Sequence, residues 1–329
     1  MIVNLKYSKR FAKSAQNAVK LLFLFAVFAF LWNEIAYSKQ TYSLLSVTGN
    51  PAAMLMLTIV MCAVPLNWYI ESVKWRCLMN TPDFAFSSAD AFKSTLAGAA
   101  ASTLLPNRIG ESIGRVFWLP DHLKLPGAVQ SGLAGISQLC ITLAGGALIL
   151  PFYLIYYTNS EPLLVLALSF TASIITACGF YLLFNLSKIK LPVQGKIPFR
   201  GRLQTCQKAL RQTRPDTLKK LLILSALRYL VFSIQFAVVL TVFVNSLSFI
   251  PALAAVAVIY LVTTLVPSFT LAELGIRESA AVLLMAPLSE QSAAVITATF
   301  LIWCVNIALP SLFGLYFVTV RKNLLTRAV

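Results

Sequence analysis

The feature that most restricts the fold of this chain is a series of long apolar segments separated by short polar breaks. Each approaches the roughly 20 residues that a helix needs to cross the hydrocarbon core of a bilayer. They lie at about residues 17–37, 52–73, 130–157, 162–185, 218–245 and 292–318. The composition agrees, with 58% hydrophobic residues, 12% charged residues and a mean hydropathy of +0.79. The sequence predicts an all-α polytopic membrane protein, with residues 1–329 in a single integral membrane domain.

Two further apolar intervals, at about residues 90–118 and 251–286, are each interrupted near the middle. Pro106 breaks the first interval and Pro267 breaks the second. Each resulting half has about 12–17 residues, which is too short to cross the membrane alone. Each interval is therefore either one kinked span or a re-entrant helical hairpin that enters and leaves on the same side.

The distribution of basic residues indicates how the chain is oriented. Residues 188–220 contain ten Lys and Arg residues against one acid, Asp216, and the first twenty residues contain five basic residues and no acid. Basic connections stay on the cytoplasmic side of a membrane. We therefore expect this loop, the N-terminus and the C-terminal tail to be cytoplasmic, in a multi-pass protein of the cell inner membrane.

This orientation fixes the number of crossings. The basic loop returns to the cytoplasm only if the interval at 90–118 does not cross the membrane, or crosses twice as two short helices. We prefer six spanning helices plus two broken re-entrant hairpins. The halves, about residues 1–158 and 159–329, then share one plan with opposite orientation, as in the inverted repeats of many transporters. The similarity of IGES (109–112) to IRES (276–279) supports this interpretation.

The first broken interval carries a charged element directly after its proline. Arg108, Glu111 and Arg115 are spaced at i, i+3 and i+7, so they lie on one face of a helix. Gly110 and Gly114 allow another backbone to approach closely, and with Pro106 they are candidate hinge residues. Arg108 lies near a predicted helix N-terminus, where backbone amides attract an anion.

The second broken interval carries a similar element. Glu273 and Arg277 are spaced at i, i+4, Glu278 follows directly, and Gly275 lies between them as a candidate hinge beside Pro267. Ionisable residues at bilayer depth cost about 2.5–3.5 kcal/mol each on insertion scales, so they tend to mark a site or a pathway.

Arg228 lies inside a predicted span and needs a carboxylate partner there. The sequence leaves this partner open among Glu111, Glu273 and Glu278. These charges either lock the two hairpins to the bundle as buried ion pairs or line a polar cavity that recognises a charged headgroup or couples to protons. We favour the cavity, although both roles can coexist.

At these residues the chain resembles the flippase-like membrane family that includes the membrane domain of lysylphosphatidylglycerol synthases. The family's first motif, a proline, Arg-x-Gly-Glu and a later arginine, is matched by Pro106, Arg108, Gly110, Glu111 and Arg115. The second motif, Gly-x-Arg-Glu-x-Ala, is matched by residues 275–280. The resemblance implies translocation of a lipid or a polyprenyl-linked headgroup.

The chain departs from this family at the second motif. The usual lead-in is rich in proline and glycine, as in Pro-Gly-Gly-Leu-Gly, whereas this chain has Pro-Ser-Phe-Thr-Leu-Ala-Glu-Leu-Gly over residues 267–275. In the synthases a soluble aminoacyltransferase domain follows the membrane part. This chain ends at Val329, so we expect no lipid aminoacylation.

The resulting expectation is a transporter that moves an amphiphile between leaflets, and not an enzyme. Arg108 and Arg115 hold a phosphate, Glu111 and Glu278 compensate charge or bind a cationic headgroup, and Arg277 gates by exchanging partners. We expect membrane lipids as partners, including anionic lipid at the basic loop (residues 186–217), and no metal, other cofactor or nucleic acid. The alternatives are an integral membrane enzyme acting on a lipid or prenyl phosphate, and a non-transporting scaffold. The sequence leaves the oligomeric state open.

Overall fold

The computed structural model describes residues 49–81, 84–104, 109–188, 200–266 and 270–327, together with Ala29 and Val47. Within these residues the chain is helical apart from turns and one isolated β-bridge, which confirms the all-α prediction for this part of the chain. The helices are α1 (Pro51–Met79), α2 (Ser88–Leu104), α3 (Ile109–Val116), α4 (Asp121–Tyr157), α5 (Pro162–Asn185), α6 (Arg200–Arg211), α7 (Pro215–Phe243), α8 (Phe249–Leu265), α9 (Thr270–Met285), α10 (Ser292–Trp303) and α11 (Leu309–Arg327). A 3-10 turn at Leu186–Lys188 follows α5, and a π-helical turn at Cys304–Ala308 joins α10 to α11.

Five of these helical segments are long and apolar enough to cross a membrane. They are Pro51–Met79, Asp121–Tyr157, Pro162–Lys188, Pro215–Phe243 and Ser292–Arg321. They correspond to five of the six predicted spans, and the remaining predicted span, at 17–37, lies outside the described residues. The helices begin where the sequence supplies start signals. Asn50 caps α1 by accepting from the amides of Ala52 and Ala53, and a proline occupies the first turn of α1, α5 and α7.

Helix α6 packs on the first part of α4 and marks one end of the molecule. Gln130 Nε2 of α4 donates to the Ala209 carbonyl at 2.9 Å and to Thr213 Oγ1 at 3.1 Å. We call this the basic end, because α6 carries several Arg and Lys residues. The sequence predicted a loop over residues 186–217, and this was wrong for residues 200–211, which form helix α6. Its Arg, Lys, Gln and Leu residues favour a helix, and the burial of Ala209 anchors it.

The first broken interval forms two helices that pack against each other. A Cβ at Gly110 would overlap the backbone of Ala101, and a Cβ at Gly114 would overlap the Ala97 carbonyl, so α2 and α3 run antiparallel at backbone contact. The start of α2 and the end of α3, which form the open side of this pair, face the basic end, where α4 begins at Asp121. On its other side α2 packs against α11, where Gly314 lies against the Leu96 carbonyl.

The second broken interval also forms two helices, α8 and α9, which contact each other. The hydroxyl of Tyr153, near the end of α4, donates to the Leu284 carbonyl near the end of α9. This places the end of α9 opposite the basic end, so the two helix pairs open toward opposite ends of the molecule.

The largest apolar core lies between α4, α7, α8, α9 and α10, with fully buried Phe236, Ile259 and Met285. Many large apolar side chains instead face outward, including Leu163 at 78% exposure and Leu148 at 68%. An apolar exterior around an apolar core is the distribution expected of a protein surrounded by lipid.

Candidate functional site

The predicted site residues occupy three different helices. Glu111 and Arg115 lie on α3 with Gly110 and Gly114, Arg228 lies near the middle of α7, and Gly275, Arg277 and Glu278 lie on α9. Pro106, Arg108 and Pro267 fall outside the residues that the structure describes, and so does the side chain of Glu273.

The centre of the site is a glutamate that the sequence analysis did not select. Glu71 of α1 has only 3% of its side chain exposed. Its Oε1 accepts a hydrogen bond from Arg115 Nη2 at 2.7 Å, while its Oε2 lies 3.1 Å from Lys74 Nζ and 3.2 Å from Arg228 Nη1. One buried carboxylate therefore joins cations from α1, α3 and α7. We call Glu71, Lys74, Glu111, Arg115 and Arg228 the charge cluster.

Lys74 is fully buried and connects the cluster to α4. Its Nζ donates to Gln138 Oε1 at 3.2 Å, near the middle of the 37-residue α4. The Gln138 amide in turn donates to the Ser225 carbonyl of α7 at 3.2 Å. Because a buried ammonium needs both a counter-charge and hydrogen-bond acceptors, these contacts hold Lys74 inside the bundle.

Arg115 is also fully buried and has two carboxylate partners. Besides Glu71 it pairs with Glu111 one turn earlier on α3, and 29% of the Glu111 side chain is exposed. Its guanidinium lies 5.6 Å from the centre of the Trp75 ring, in cation–π geometry. Gly98 of α2 provides the space, because a Cβ there would overlap the Arg115 side chain.

Arg228 extends the charge cluster toward the π-helical turn. Its Nε donates to Asn67 Oδ1 at 3.1 Å. The Asn67 amide donates to Asn306 Oδ1 at 3.3 Å, and Trp68 Nε1 donates to the Asn306 carbonyl at 3.1 Å. A π-turn displaces the regular helical hydrogen bonds and is frequent at functional sites. Here it makes the Asn306 carbonyl available to Trp68.

The charged element on α9 also lies near this π-turn. Glu278 is buried, 8% exposed, and close enough to Cys304 to interact with it electrostatically. Arg277 is likewise close enough to Tyr260 of α8 to interact with it electrostatically. Helix α9 also touches α2, so the two helix pairs meet inside the bundle.

Sequence reasoning missed Glu71 and Lys74 because they end an apolar segment, where charged residues normally face the interface. One signal could have identified them. The i, i+3 spacing of an acid and a base, between Trp68 and Trp75, places opposite charges on one helix face at the end of a predicted span. Glu71 is also a carboxylate partner of Arg228 that the sequence-based candidates did not include.

No group of three or more His, Cys, Asp or Glu side chains that could hold a metal ion occurs among the described residues. No curated protein and no solved structure matches the chain. The family model described as the lysylphosphatidylglycerol synthase TM region matches residues 17–314. Because this match covers most of the sequence, the chain belongs to the family of the lysylphosphatidylglycerol synthase transmembrane region.

Proposed function

We propose that this protein is a transporter that moves a lipid or a polyprenyl-linked amphiphile between the leaflets of the cytoplasmic membrane. The family supports a lipid-related role in a membrane. The observation that carries the proposal is the charge cluster, because ionisable side chains buried among spanning helices are costly unless they serve a site or pathway.

In the proposed arrangement the α2–α3 pair and the α8–α9 pair are re-entrant hairpins in two inverted halves. Support comes from their openings toward opposite ends of the molecule and from the position of the basic helix α6. The basic end is cytoplasmic, as are both termini, and α6 contacts anionic lipid.

The headgroup crosses between the hairpins while its tail remains in lipid. Opening of the α2–α3 hairpin withdraws Arg115 from Glu71, and the partly exposed Glu111 keeps Arg115 paired during the movement. Arg277 and Glu278 line the continuation of the route along α9, and Arg277 gates it by exchanging partners. Arg108 and Glu273 belong to the same two elements and share these roles.

Leaflet exchange in proteoliposomes tests the proposal. We expect exchange of at least one class among labelled anionic, zwitterionic, aminoacylated and polyprenyl-phosphate lipids, and loss of that exchange in Glu111→Gln. The exposed carboxylate variant Glu161→Gln is the matched control and should transport normally. Unchanged exchange in both Glu111→Gln and Arg277→Gln, at normal protein levels, contradicts the mechanism.

A further inference from the structure

Two carboxylates are buried in the described part of the chain, and their surroundings differ. Glu71 has 3% of its side chain exposed and lies within ion-pair distance of three cations. Glu278 of α9 is 8% exposed, yet among the described residues no cation lies at ion-pair distance from it and no group donates a hydrogen bond to it. A buried carboxylate without such partners is costly, and binding a proton removes that cost.

Arg277 is the one charged side chain that acts on Glu278 within the described ranges. Consecutive residues of an α-helix point about 100° apart, so these neighbours do not face each other. The other titratable groups on the elements that pack against α9 are Tyr260 of α8, Cys304 of the π-helical turn, Tyr153 and Tyr157 of α4, and Asp90 and Lys93 in the first two turns of α2 at the basic end. On α9 itself, the side chain of Glu273 lies outside the described residues.

These surroundings fit a proton better than a metal ion or a cationic headgroup. A hard cation such as Na⁺ takes several oxygen ligands, whereas the groups that interact with Glu278 are a guanidinium and a thiol. With 8% of its surface exposed, Glu278 is too enclosed in this state to receive a headgroup ammonium. A proton needs a single carboxylate oxygen and can reach it through water.

Two further buried polar groups of this region indicate that water has access to it. The hydroxyl of Ser279, directly after Glu278, has no partner in the part of the chain that the structure describes. The same holds for the side-chain amide nitrogen of Asn306, two residues after Cys304 in the π-helical turn. Buried polar groups that lack a protein partner are normally hydrogen-bonded to ordered water. Such water provides the route by which a proton enters and leaves.

The position of Glu278 also connects it to the charge cluster. Its electrostatic partner Cys304 begins the π-helical turn, and Asn306 in the same turn accepts a hydrogen bond from Asn67. Asn67 in turn accepts one from Arg228 of the charge cluster. A change of charge at Glu278 therefore acts beside the turn that is hydrogen-bonded to the cluster.

We infer that Glu278 is the proton-binding site through which a proton gradient drives the transporter. In each cycle its carboxylate takes up one proton from water on one side of the membrane, remains neutral while the cargo crosses, and releases the proton to water on the other side. Carboxylates inside helical bundles relay protons in pumps and transporters. The inference rests on the proposed transport function and specifies its energy source.

Proteoliposomes that hold a pH difference test the inference, with the electrical potential set to zero by potassium and valinomycin. The probes are labelled anionic, zwitterionic, aminoacylated and polyprenyl-phosphate lipids. For one proton per lipid, one pH unit should shift the steady-state distribution of the transported class between the leaflets about tenfold. Glu278→Gln should show the same distribution with and without the pH difference, because an amide takes up no proton. Glu278→Asp and the exposed control Glu290→Gln should keep the shift.

Infrared spectroscopy of the purified protein gives a readout that does not depend on transport. The wild type should show a band of a protonated carboxyl group that disappears as the pH rises and that Glu278→Gln lacks. This readout decides the question if Glu278→Gln exchanges no lipid. Absence of the band from the wild type, or its persistence in Glu278→Gln, overturns the inference.

The outcomes separate the inference from the proposed function. Lipid exchange without any effect of the pH difference, or a shift that Glu278→Gln retains, overturns the inference and leaves lipid transport intact. A shift driven by a sodium gradient at equal pH does the same. A titrating Glu278 band without exchange of any lipid class supports the proton site and overturns lipid transport. Absence of both the exchange and the band overturns both.

Discussion

The two helix pairs of this protein have opposite orientations, and different contacts hold them in place. The α2–α3 pair is fixed by glycine-to-backbone contacts and by the ion pairs of Arg115. The α8–α9 pair is fixed by apolar packing, and Ala255, Val256 and Ile259 of α8 are completely buried in the largest core. The ion pairs of the first helix pair can exchange partners, whereas the close apolar packing of the second cannot.

This difference assigns separate roles to the two halves. An apolar core is close-packed and resists small displacements, so we expect the backbones of α8 and α9 to form the static side of the bundle, with movement there limited to the Arg277 side chain. Ion pairs with a second partner at hand can be exchanged at lower cost, and Arg115 has that second partner in Glu111. We therefore expect the α2–α3 pair to be the moving element.

Removing the shared carboxylate should give the largest effect. In Glu71→Gln, three buried or nearly buried cations lose their common partner, which should lower the free energy of unfolding by about 3–5 kcal/mol. Chemical unfolding of the purified protein measures this loss. Glu161→Gln, an exposed carboxylate between α4 and α5, should leave stability unchanged. Equal stability of the two variants would mean that the charge cluster does not hold the hairpin.

Filling the backbone contact between α2 and α3 should give the next largest effect. A Cβ in Gly114→Ala overlaps the Ala97 carbonyl, and overpacking of this kind costs about 1–3 kcal/mol. The added methyl group pushes α3 away from α2 and displaces the Arg115 side chain, so transport should fall as well as thermal stability. The matched control is Gly132→Ala on α4, where a Cβ meets no neighbour within 4 Å and the helix should be stabilised slightly. Equal behaviour of these variants would contradict the close packing of the hairpin.

The fold was more accessible from the sequence than the site. Apolar segment length and the two prolines predicted five helices that the structure contains and the two interruptions after Leu104 and Leu265. These signals are local, because the bilayer imposes the length of a span on each segment separately. The charges of Arg115 and Arg228 at bilayer depth could be recognised for the same reason.

The partners of these charges could not be obtained in this way. Glu71 and Arg115 are 44 residues apart, and Asn67 and Arg228 are 161 apart, so their pairing depends on how the helices pack. Local sequence does not show which face of α1 turns inward. The helix α6 was missed for a related reason, since its polar composition resembles a loop until its packing on α4 is known.

Truncation in the apolar pair should have a moderate effect on stability and none on selectivity. Ile259→Ala removes a fully buried side chain. In a membrane the unfolded helix already lies in an apolar medium, so mainly the packing loss remains, about 1–2 kcal/mol. Exchange rates per folded molecule, measured beside the free energy of unfolding, should keep the wild-type preference among lipids. A changed preference would show that the α8–α9 pair takes part in cargo recognition and would remove the contrast between the two pairs.

The smallest expected effect concerns the basic end of the moving pair. Arg321 of α11 donates to the Trp118 carbonyl at 3.3 Å and lies 4.4 Å from the Trp118 ring centre, just after the end of α3. Arg321→Gln should cost about 0.5–1 kcal/mol, because a partly solvated cation–π contact is weak. If this contact restrains the hairpin, the variant should also exchange lipid slightly faster, whereas Lys220→Gln, at an exposed lysine of α7, should match the wild type. A double-mutant cycle with Trp118→Leu measures the coupling, and additive effects would show that α11 does not restrain α3 through this contact.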